Sequence, residues 1–362
     1  MASPDDYRHM ARALRLAERG LYTATPNPRV GCVIVKDGAI VGEGWHESAG
    51  QPHAEVHALR AGGDRSRGAT VYLSLEPCSH HGRTPPCAEA LIAARVARVV
   101  TAMQDPNPRV AGAGFARLRG AGIETECGVL ESDARELNIG FISRMTRGRP
   151  WMRMKIAASL DGETALLNGA SRWITGQDAR RDGHRFRARA CAILTGFGTV
   201  RDDNPQLTVR EVKTSRQPLR VVVDSRLETP LDARVLDGGN VVVFGAAADR
   251  NKVAALEDCG AEVVMLPDAF GKVDLAALLA DLGRRELNEV QVEAGFKLNG
   301  SLLQAGFVDE LVLYLAPCLL GDAARGLFDL PALAELSERR TLAIRDMRQV
   351  GADLRIIARF AP

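Results

Sequence analysis

The chain has almost no net charge: 47 Lys and Arg against 45 Asp and Glu leave +2 over 362 residues. A nucleic-acid binder usually shows a strongly basic face, so no nucleic-acid partner is expected. A small phosphorylated molecule is not excluded, since one or two well-placed arginines suffice to hold it. No run approaches the roughly 18 apolar residues that a membrane helix needs, and no membrane association is expected. The opening stretch, MASPDDYRHMARAL, has no apolar core of signal-peptide length. Seven cysteines, an odd number scattered along the chain, make no disulfide framework. Reduced thiols in a cytoplasmic protein are therefore expected. Low-complexity tracts are absent. The phrase Pro-Asn-Pro-Arg-Val, at 26–30 and 106–110, is too short to be a structural repeat.

What is present is α/β alternation, twice over. The length accommodates two domains, and the 46% hydrophobic fraction is that of a globular protein. Tyr7, Met10, Ala11, Leu14 and Ala17 recur at helical spacing up to Gly20. Val30 to Val35, the turn Lys36-Asp37-Gly38, and Ile40-Val41 predict a hairpin. A helix is predicted from near His53 to Leu59, then a strand over 70–75, a helix over 88–94, a strand over 98–102 and a helix over 115–121. This order predicts a three-layer α/β/α sandwich. Arg147-Gly-Arg-Pro150 is polar and ends in proline, which places a boundary between a first domain, 1–146, and a second, 150–362. In the second, strands are predicted over 220–224, 240–244, 262–266, 289–293 and 310–315, with an apolar helix over 275–282. That pattern gives a separate α/β domain with a mostly parallel sheet.

Five of the seven histidines fall between 46 and 81. Within that span stands His53-Ala-Glu55, followed by Pro77-Cys78 and then Cys87. One imidazole and two thiolates suit zinc, and three protein ligands leave the fourth position for water, as in a catalytic site. Such an ion lowers the pKa of its water toward neutrality. Glu55, two residues from His53 in the first turn of a helix, is placed to shuttle protons without binding the metal. Both ligand segments precede predicted helices, whose N-termini favour thiolates. His-x-Glu with Pro-Cys…Cys is the signature of zinc nucleobase deaminases, although the usual Cys spacing there is two residues and here it is eight. His57 faces the same way as His53, but His53-Ala-Glu-Val-His57 has its Glu in the wrong place for a zinc protease. His57 is read as a helix residue and His80 and His81 as loop residues. Cys32, Cys127, Cys191, Cys259 and Cys318 are read as core.

Longer motifs carry a resemblance. Thr25-Pro-Asn-Pro-Arg-Val-Gly31, His46, His53-Ala-Glu55, Glu76-Pro-Cys78, Gly82-Arg-Thr-Pro-Pro-Cys87 and Asp105-Pro-Asn-Pro-Arg-Val-Ala-Gly112 resemble the deaminase half of the bifunctional riboflavin-biosynthesis deaminase/reductases. Lys155-Ile-Ala-Ala-Ser-Leu-Asp-Gly162, Ser171-Arg-Trp-Ile-Thr175, Gly196-Phe-Gly-Thr-Val200 and Asp202-Asp-Asn-Pro-Gln-Leu-Thr208 resemble the reductase half. The match runs essentially end to end, and the eight-residue spacing between cysteines is what this family shows. The resemblance implies a cytidine-deaminase-like first domain with one zinc per chain, held by His53, Cys78 and Cys87. It further implies deamination of a 2,5-diamino-6-ribosylamino-pyrimidinone 5′-phosphate with Glu55 moving the protons. Asn27, His46, Arg83, Asp105 and Asn107 match substrate positions of that domain. The bland alternative for Asn27 and Asn107 is turn chemistry before proline.

Read from its residues alone, the second domain is less explicit. It lacks the Gly-x-Gly-x-x-Gly of dinucleotide-binding folds, and Gly196-Phe-Gly198 is a weak signal. Ser171, Thr199, Asp203, Ser225 and Glu293 fall at strand ends and in the adjacent loops, where ligands bind in parallel α/β sheets. Glu293 to Ser301 runs from a strand through a glycine-bearing turn into a helix, a geometry that points amides at phosphate. The resemblance adds a dihydrofolate-reductase-like fold that reduces the ribosyl group to ribityl with NADPH. Ala157, Trp173, Thr199, Asp203, Ser225, Gly295, Phe296, Lys297, Leu298, Asn299, Gly300 and Ser301 match its cofactor positions. Ser171, Arg187, Leu207, Arg210 and Glu293 match its substrate positions, and Lys155 is a candidate partner of the ribose oxygen or of the opening imine. Arg187 and Arg210 suit the substrate phosphate, which a guanidinium binds bidentately. Asp224-Ser-Arg226 is read either as a cofactor 2′-phosphate site or as an ordinary polar turn with Asp224 and Arg226 solvated. A homo-oligomer, dimer or tetramer, is expected. Two rival readings stand beside this one: a tRNA or free-base deaminase with an unrelated second domain, and a non-catalytic zinc dimerisation module.

Overall fold

Ser3 starts the first helix. Its hydroxyl accepts from the Asp6 amide while the Asp6 carboxylate accepts from the Ser3 amide, a capping box with Pro4 at the first helical position. The computed structural model describes residues 2–79, 86–108, 110–247 and 249–360. Contacts divide the chain into two compact units, Met1–Gly148 and Arg149–Pro362.

In the first unit, α1 (Pro4–Ala17) is followed by the hairpin β1 (Gly31–Lys36) and β2 (Ala39–Trp45). Next come α2 (Ala54–Gly62), β3 (Thr70–Leu73), α3 (Cys87–Ala93), β4 (Arg98–Thr101), α4 (Ala113–Gly120), β5 (Glu124–Cys127), α5 (Glu131–Leu137) and α6 (Ile139–Arg147). The sheet order is β2-β1-β3-β4-β5, antiparallel in the hairpin and at β1–β3, parallel from β3 to β5. Alternation along β1 sends Val33 and Val35 to one face, against Met10, Ala13 and Leu14 of α1. Cys32 and Ile34 go to the other, against Ala54 and Ala58 of α2 and Leu91 of α3. Helices on both faces of one sheet are the three-layer sandwich that the alternation predicts.

The second unit opens with β6 (Trp151–Ser159) and β7 (Glu163–Ala165), then α7 (Gln177–Arg189), β8 (Ala192–Gly196), α8 (Phe197–Asp203) and β9 (Leu219–Val223). It continues with β10 (Val241–Gly245), α9 (Arg250–Asp258), β11 (Ala261–Met265), α10 (Leu275–Arg284), β12 (Glu289–Val292) and α11 (Phe296–Gln304). It ends with β13 (Glu310–Ala316), β14 (Arg325–Gly326), β15 (Leu342–Val350) and β16 (Asp353–Phe360). Nine strands form one sheet, β11-β10-β9-β8-β12-β6-β13-β16-β15. Every pair from β11 to β13 is parallel, and only β13–β16 and β16–β15 are antiparallel. The mostly parallel sheet matches the valine runs of β9 and β10, the latter buried along its whole length, whereas β12 buries Glu289 and Gln291 between its valines.

Three cysteine assignments need correction. Cys32 and Cys191 are buried, but Cys127 and Cys318 are exposed and Cys259 is half-buried. Cys127 ends β5, an edge strand with an exposed–intermediate pattern, so its strand position does not bury it. Among the described residues, no helix is long and apolar enough to cross a membrane.

Candidate active sites

The first site assembles at the ends of three elements. His53 is the residue before α2, Cys78 lies in the loop after β3, and Cys87 is the first residue of α3. His53 Nδ1 is 3.7 Å from Cys78 Sγ and 3.3 Å from Cys87 Sγ, and the three donor atoms lie within 4.8 Å of one another. Tetrahedral zinc, with Zn–N of about 2.0 Å and Zn–S of about 2.3 Å, requires donor separations of about 3.5–3.8 Å, so the set fits the ion. The electrostatics fit as well. Hydrogen bonding from Cys87, despite burial, holds the Cys78 thiol well below its ordinary value, with His53 and the Cys87 amide adding to the effect. The same interaction and burial push Cys87 up. Two sulfurs that compete for positive charge are a donor set for a divalent cation.

Glu55 belongs to the first turn of α2 and is 3% exposed. Its Oε2 has no hydrogen-bond partner among the described residues. Burial, then the nearby Cys78, raise its carboxyl to about 7. It is therefore a buried carboxyl beside the donor set, with an atom left for a ligand and a proton to exchange near neutrality.

Two further residues meet there. His46 stands edge-on to His53, ring centroids 5.3 Å apart. Its Nδ1 lies 3.2 Å from the Pro52 carbonyl and its Nε2 3.0 Å from Asn27 Nδ2. A carbonyl only accepts, so Nδ1 carries the proton and Nε2 accepts from Asn27; burial, which lowers the His46 pKa, agrees with a neutral ring. Asp105 and Asn107 lie in the segment after β4, with the Asn107 amide donating to Asp105 Oδ1 at 2.8 Å. Arg83, His80 and His81 lie outside the described residues.

The second site is a cavity of about 1200 Å³ in the second unit. It exceeds the roughly 300–1,000 Å³ of an ordinary small-molecule pocket, which leaves room for a dinucleotide and a second ligand. Its walls are loops at the C-terminal ends of β6, β8, β9 and β12, together with α7 and the start of α11. Lys155, Ala157, Ser171, Trp173, Arg187, Thr199, Asp203, Leu207, Arg210, Ser225, Glu293, Gly295, Phe296, Lys297 and Leu298 all line it. Asn299, Gly300 and Ser301 are not among its lining residues. Asn299 is buried and donates to the Ala294 carbonyl, Gly300 packs on the Asp329 backbone, and Ser301 turns back on the Lys297 carbonyl. Around α11, Asn299 and Gly300 turn inward to the core, while Ser301 is exposed on the side away from the cavity.

Arg187 is engaged before any ligand arrives. Its Nε and Nη2 each lie 2.7 Å from the Glu293 carboxylate, and its Nη1 donates to the Thr208 carbonyl. Burial pushes Glu293 up, but Arg187, Lys155 and Gln291 outweigh it and hold the carboxyl at about 2. Burial lowers the Lys155 ammonium pKa despite Glu293. Arg210 is exposed, and among the described residues its guanidinium bonds the neighbouring Thr208 while its backbone amide donates to His184. Asp224 is not solvated: it is 2% exposed and accepts from the Thr229 amide and hydroxyl at 2.6 and 2.7 Å. It shapes its turn, leaving Ser225 and Arg226 to face the cavity.

Residues 3–103 match the model of the cytidine and deoxycytidylate deaminase zinc-binding region, and residues 150–356 match the RibD C-terminal domain. The riboflavin biosynthesis protein RibD of Escherichia coli K12 is 49% identical, over 97% of this chain and 98% of its own. The chain belongs to the RibD family. It is a bifunctional enzyme of riboflavin biosynthesis, a zinc-dependent deaminase joined to an NADPH-dependent reductase. Among solved structures, RibD of Acinetobacter baumannii superposes with a TM-score of 0.93 at 43% identity, covering 99% of each chain. A diaminohydroxyphosphoribosylaminopyrimidine deaminase/5-amino-6-(5-phosphoribosylamino)uracil reductase of Thermotoga maritima gives 0.87 at 33% identity, again over 99% of each. RibD membership removes both rival readings.

Sequence reasoning missed two residues of these sites. His184, buried on α7, lines the cavity and accepts from the Arg210 amide at 3.2 Å through Nδ1. Glu76, quoted only as part of a motif, organises the segment that carries Asp105. No local spacing announces either, because their partners are 26 or more positions away.

Proposed function

We propose that the first unit deaminates 2,5-diamino-6-(5-phosphoribosylamino)pyrimidin-4(3H)-one with His53, Cys78 and Cys87 holding zinc and Glu55 as the acid–base group. The observation that carries this is the buried Glu55 carboxyl, unpartnered at Oε2, beside three donors at zinc spacing. Bound zinc supplies the Lewis acidity that activates water. Glu55 takes the proton from that water and returns it to the departing amine. Neutral His46, its tautomer fixed by Pro52, accepts from Asn27 through Nε2 and so holds the Asn27 amide for the substrate ring; Arg83, Asp105 and Asn107 complete recognition.

In the second unit, the cavity receives NADPH along Ala157, Trp173, Thr199, Asp203, Ser225 and the Gly295–Leu298 turn. Asn299, Gly300 and Ser301 support that turn from behind. The phosphorylated pyrimidine binds against Lys155, Ser171, Leu207, Arg210 and the Arg187–Glu293 pair. In that pair Arg187 orients Glu293, and Arg210 is the cation free to meet the phosphate. Ser225 and Arg226 favour the 2′-phosphate of NADPH. The enzyme acts in the cytoplasm as a homo-oligomer, and β15 supports the assembly: it is an edge strand with Ile344 and Met347 61% and 60% exposed. Incubating the protein with the diaminopyrimidinone phosphate, with and without NADPH, tests the assignment. The deaminated ribosyl compound should accumulate without NADPH and the ribityl compound form with it. Release of no ammonia, or reduction without prior deamination, would contradict it.

A further inference from the structure

Glu76 stands two residues before Cys78 and is 3% exposed. No ion pair reaches it among the described residues. Four backbone amides do. Its Oε2 accepts from Asp105 at 3.1 Å and Gly112 at 3.0 Å, and its Oε1 from Gly114 at 2.9 Å and Phe115 at 3.4 Å. Three of those amides open α4, whose capping position is Gly112 and offers no side chain. Glu76 caps that helix from a distant segment, with its negative charge at the positive end of the helix dipole. The fourth amide fixes Asp105, whose Oδ1 in turn accepts from the Asn107 amide at 2.8 Å. The approach is close: a Cβ at Gly114 would meet the Pro77 carbonyl oxygen at 2.2 Å. Only glycine lets the start of α4 come down on the segment that bears the ligand.

One carboxylate thus joins two pieces of chain, one carrying a metal ligand and the other Asp105 and Asn107. We propose that Glu76 is a positioning residue of the deaminase site, holding the 105–107 segment at a fixed distance from Cys78 without itself touching metal or pyrimidine. The proposal rests on the reading that Asp105 and Asn107 face the substrate. A carboxylate is suited to this because all its lone pairs accept. A glutamine would set an NH2 donor against donating amides and lose the contacts of one oxygen.

The test uses the full chain loaded with zinc, comparing wild type with Glu76→Gln, Glu76→Asp and Asn107→Ala. Zinc per chain is counted, deaminase kcat and KM for the pyrimidine phosphate are separated, and circular dichroism with the thermal melt of the deaminase unit checks that each variant is folded. Glu76→Gln should keep its zinc and hold kcat within about threefold, while KM rises about 10–100-fold, the range for residues that orient a site from behind. Glu76→Asp keeps the acceptors on a shorter stem and should fall between. An unchanged KM overturns the proposal. So does loss of zinc with KM unmoved, which would make Glu76 a brace of the ligand loop alone. A raised KM in Glu76→Gln with an unaltered KM in Asn107→Ala upholds the positioning role and overturns the substrate contact assigned to Asn107.

Discussion

The carboxyl of Glu55 is where the deamination is decided, because its amide isostere keeps shape and burial but carries no exchangeable acid proton. Glu55→Gln should retain one zinc per chain and lose about 10²–10⁴-fold in deaminase turnover. Metal analysis alongside the ammonia assay checks it, and near-normal turnover would make Glu55 structural. His184 offers a second test at this scale. Burial, with Arg187 and Arg210 nearby, lowers its pKa from 6.5 to about 4. Its folded pKa is depressed, so the fold favours the neutral ring. The unfolded chain takes up a proton near pH 6.5 and the folded one does not, so stability declines as pH falls from 6.5 toward 4. By pH 5 the loss is about 2 kcal/mol at 1.36 kcal/mol per pKa unit. His184→Asn keeps an acceptor for the Arg210 amide and removes the titration. Its melting temperature should fall less than that of wild type between pH 7.5 and 5, and an equal fall would separate His184 from the acid response. The contrast between these residues shows what sequence makes legible. His53 and Glu55 act through local spacing across the start of one helix, and two cysteines around a polar, proline-rich loop are poor packing residues. Arg187, by contrast, reads as a free cation until Glu293, 106 positions away, is seen to hold it.

At the scale of elements, the parallel strands were readable because strands buried on both faces need β-branched runs, as in Val221-Val-Val223 and Val241-Val-Val243. Helix α7 was not. Its sequence, QDARRDGHRFRAR, gives the core only a thin seam that includes Ala179, Phe186 and Ala188, and tertiary contact rather than periodicity makes it a helix. Helix α11 combines both situations. Its glycine-bearing start was legible as a phosphate-facing turn, but the reason for Gly300 was not. A Cβ there would meet the Asp329 carbonyl oxygen at 2.1 Å, with the carbonyl carbon and amide nitrogen of the same residue within 2.9 Å. That neighbour is backbone and cannot rotate away. Gly300→Ala should therefore lift α11 from the 327–329 segment and cost about 1–3 kcal/mol, the usual penalty for overpacking. Because α11 carries Phe296 and Lys297 at the cavity, NADPH affinity should weaken with it. Calorimetry and cofactor titration check both, and an unshifted melting temperature would mean the segment gives way freely.

At the scale of the whole molecule, the two chemistries sit in separate compact units, each with its own core. Loss of one site should therefore spare the other. Cys78→Ala should release zinc and abolish deamination, yet leave reduction of pre-deaminated substrate within about twofold, since sites without shared partners act independently. A matching collapse of reductase activity would show that the units depend on each other. Assembly is the remaining question at this scale, and β15 poses it. A long, exposed, apolar edge strand invites pairing with another chain, and soluble proteins blunt such edges with charge, proline or a cover. Among the described residues β15 pairs only with β16, and Leu342, Ile344 and Met347 are all exposed, with Leu333 and Leu336 exposed in the segment before it. Arg345 and Arg348 interrupt the strand but leave Ile344 and Met347 in water. A second copy of the same edge is the simplest cover, because a two-fold interface needs only one self-complementary patch. Ile344→Glu with Met347→Glu places like charges where two copies would meet. Sedimentation should then show a shift from oligomer toward monomer, with both units still folded by circular dichroism. An unaltered sedimentation coefficient would move the interface to another surface, and a monomeric wild type would remove it.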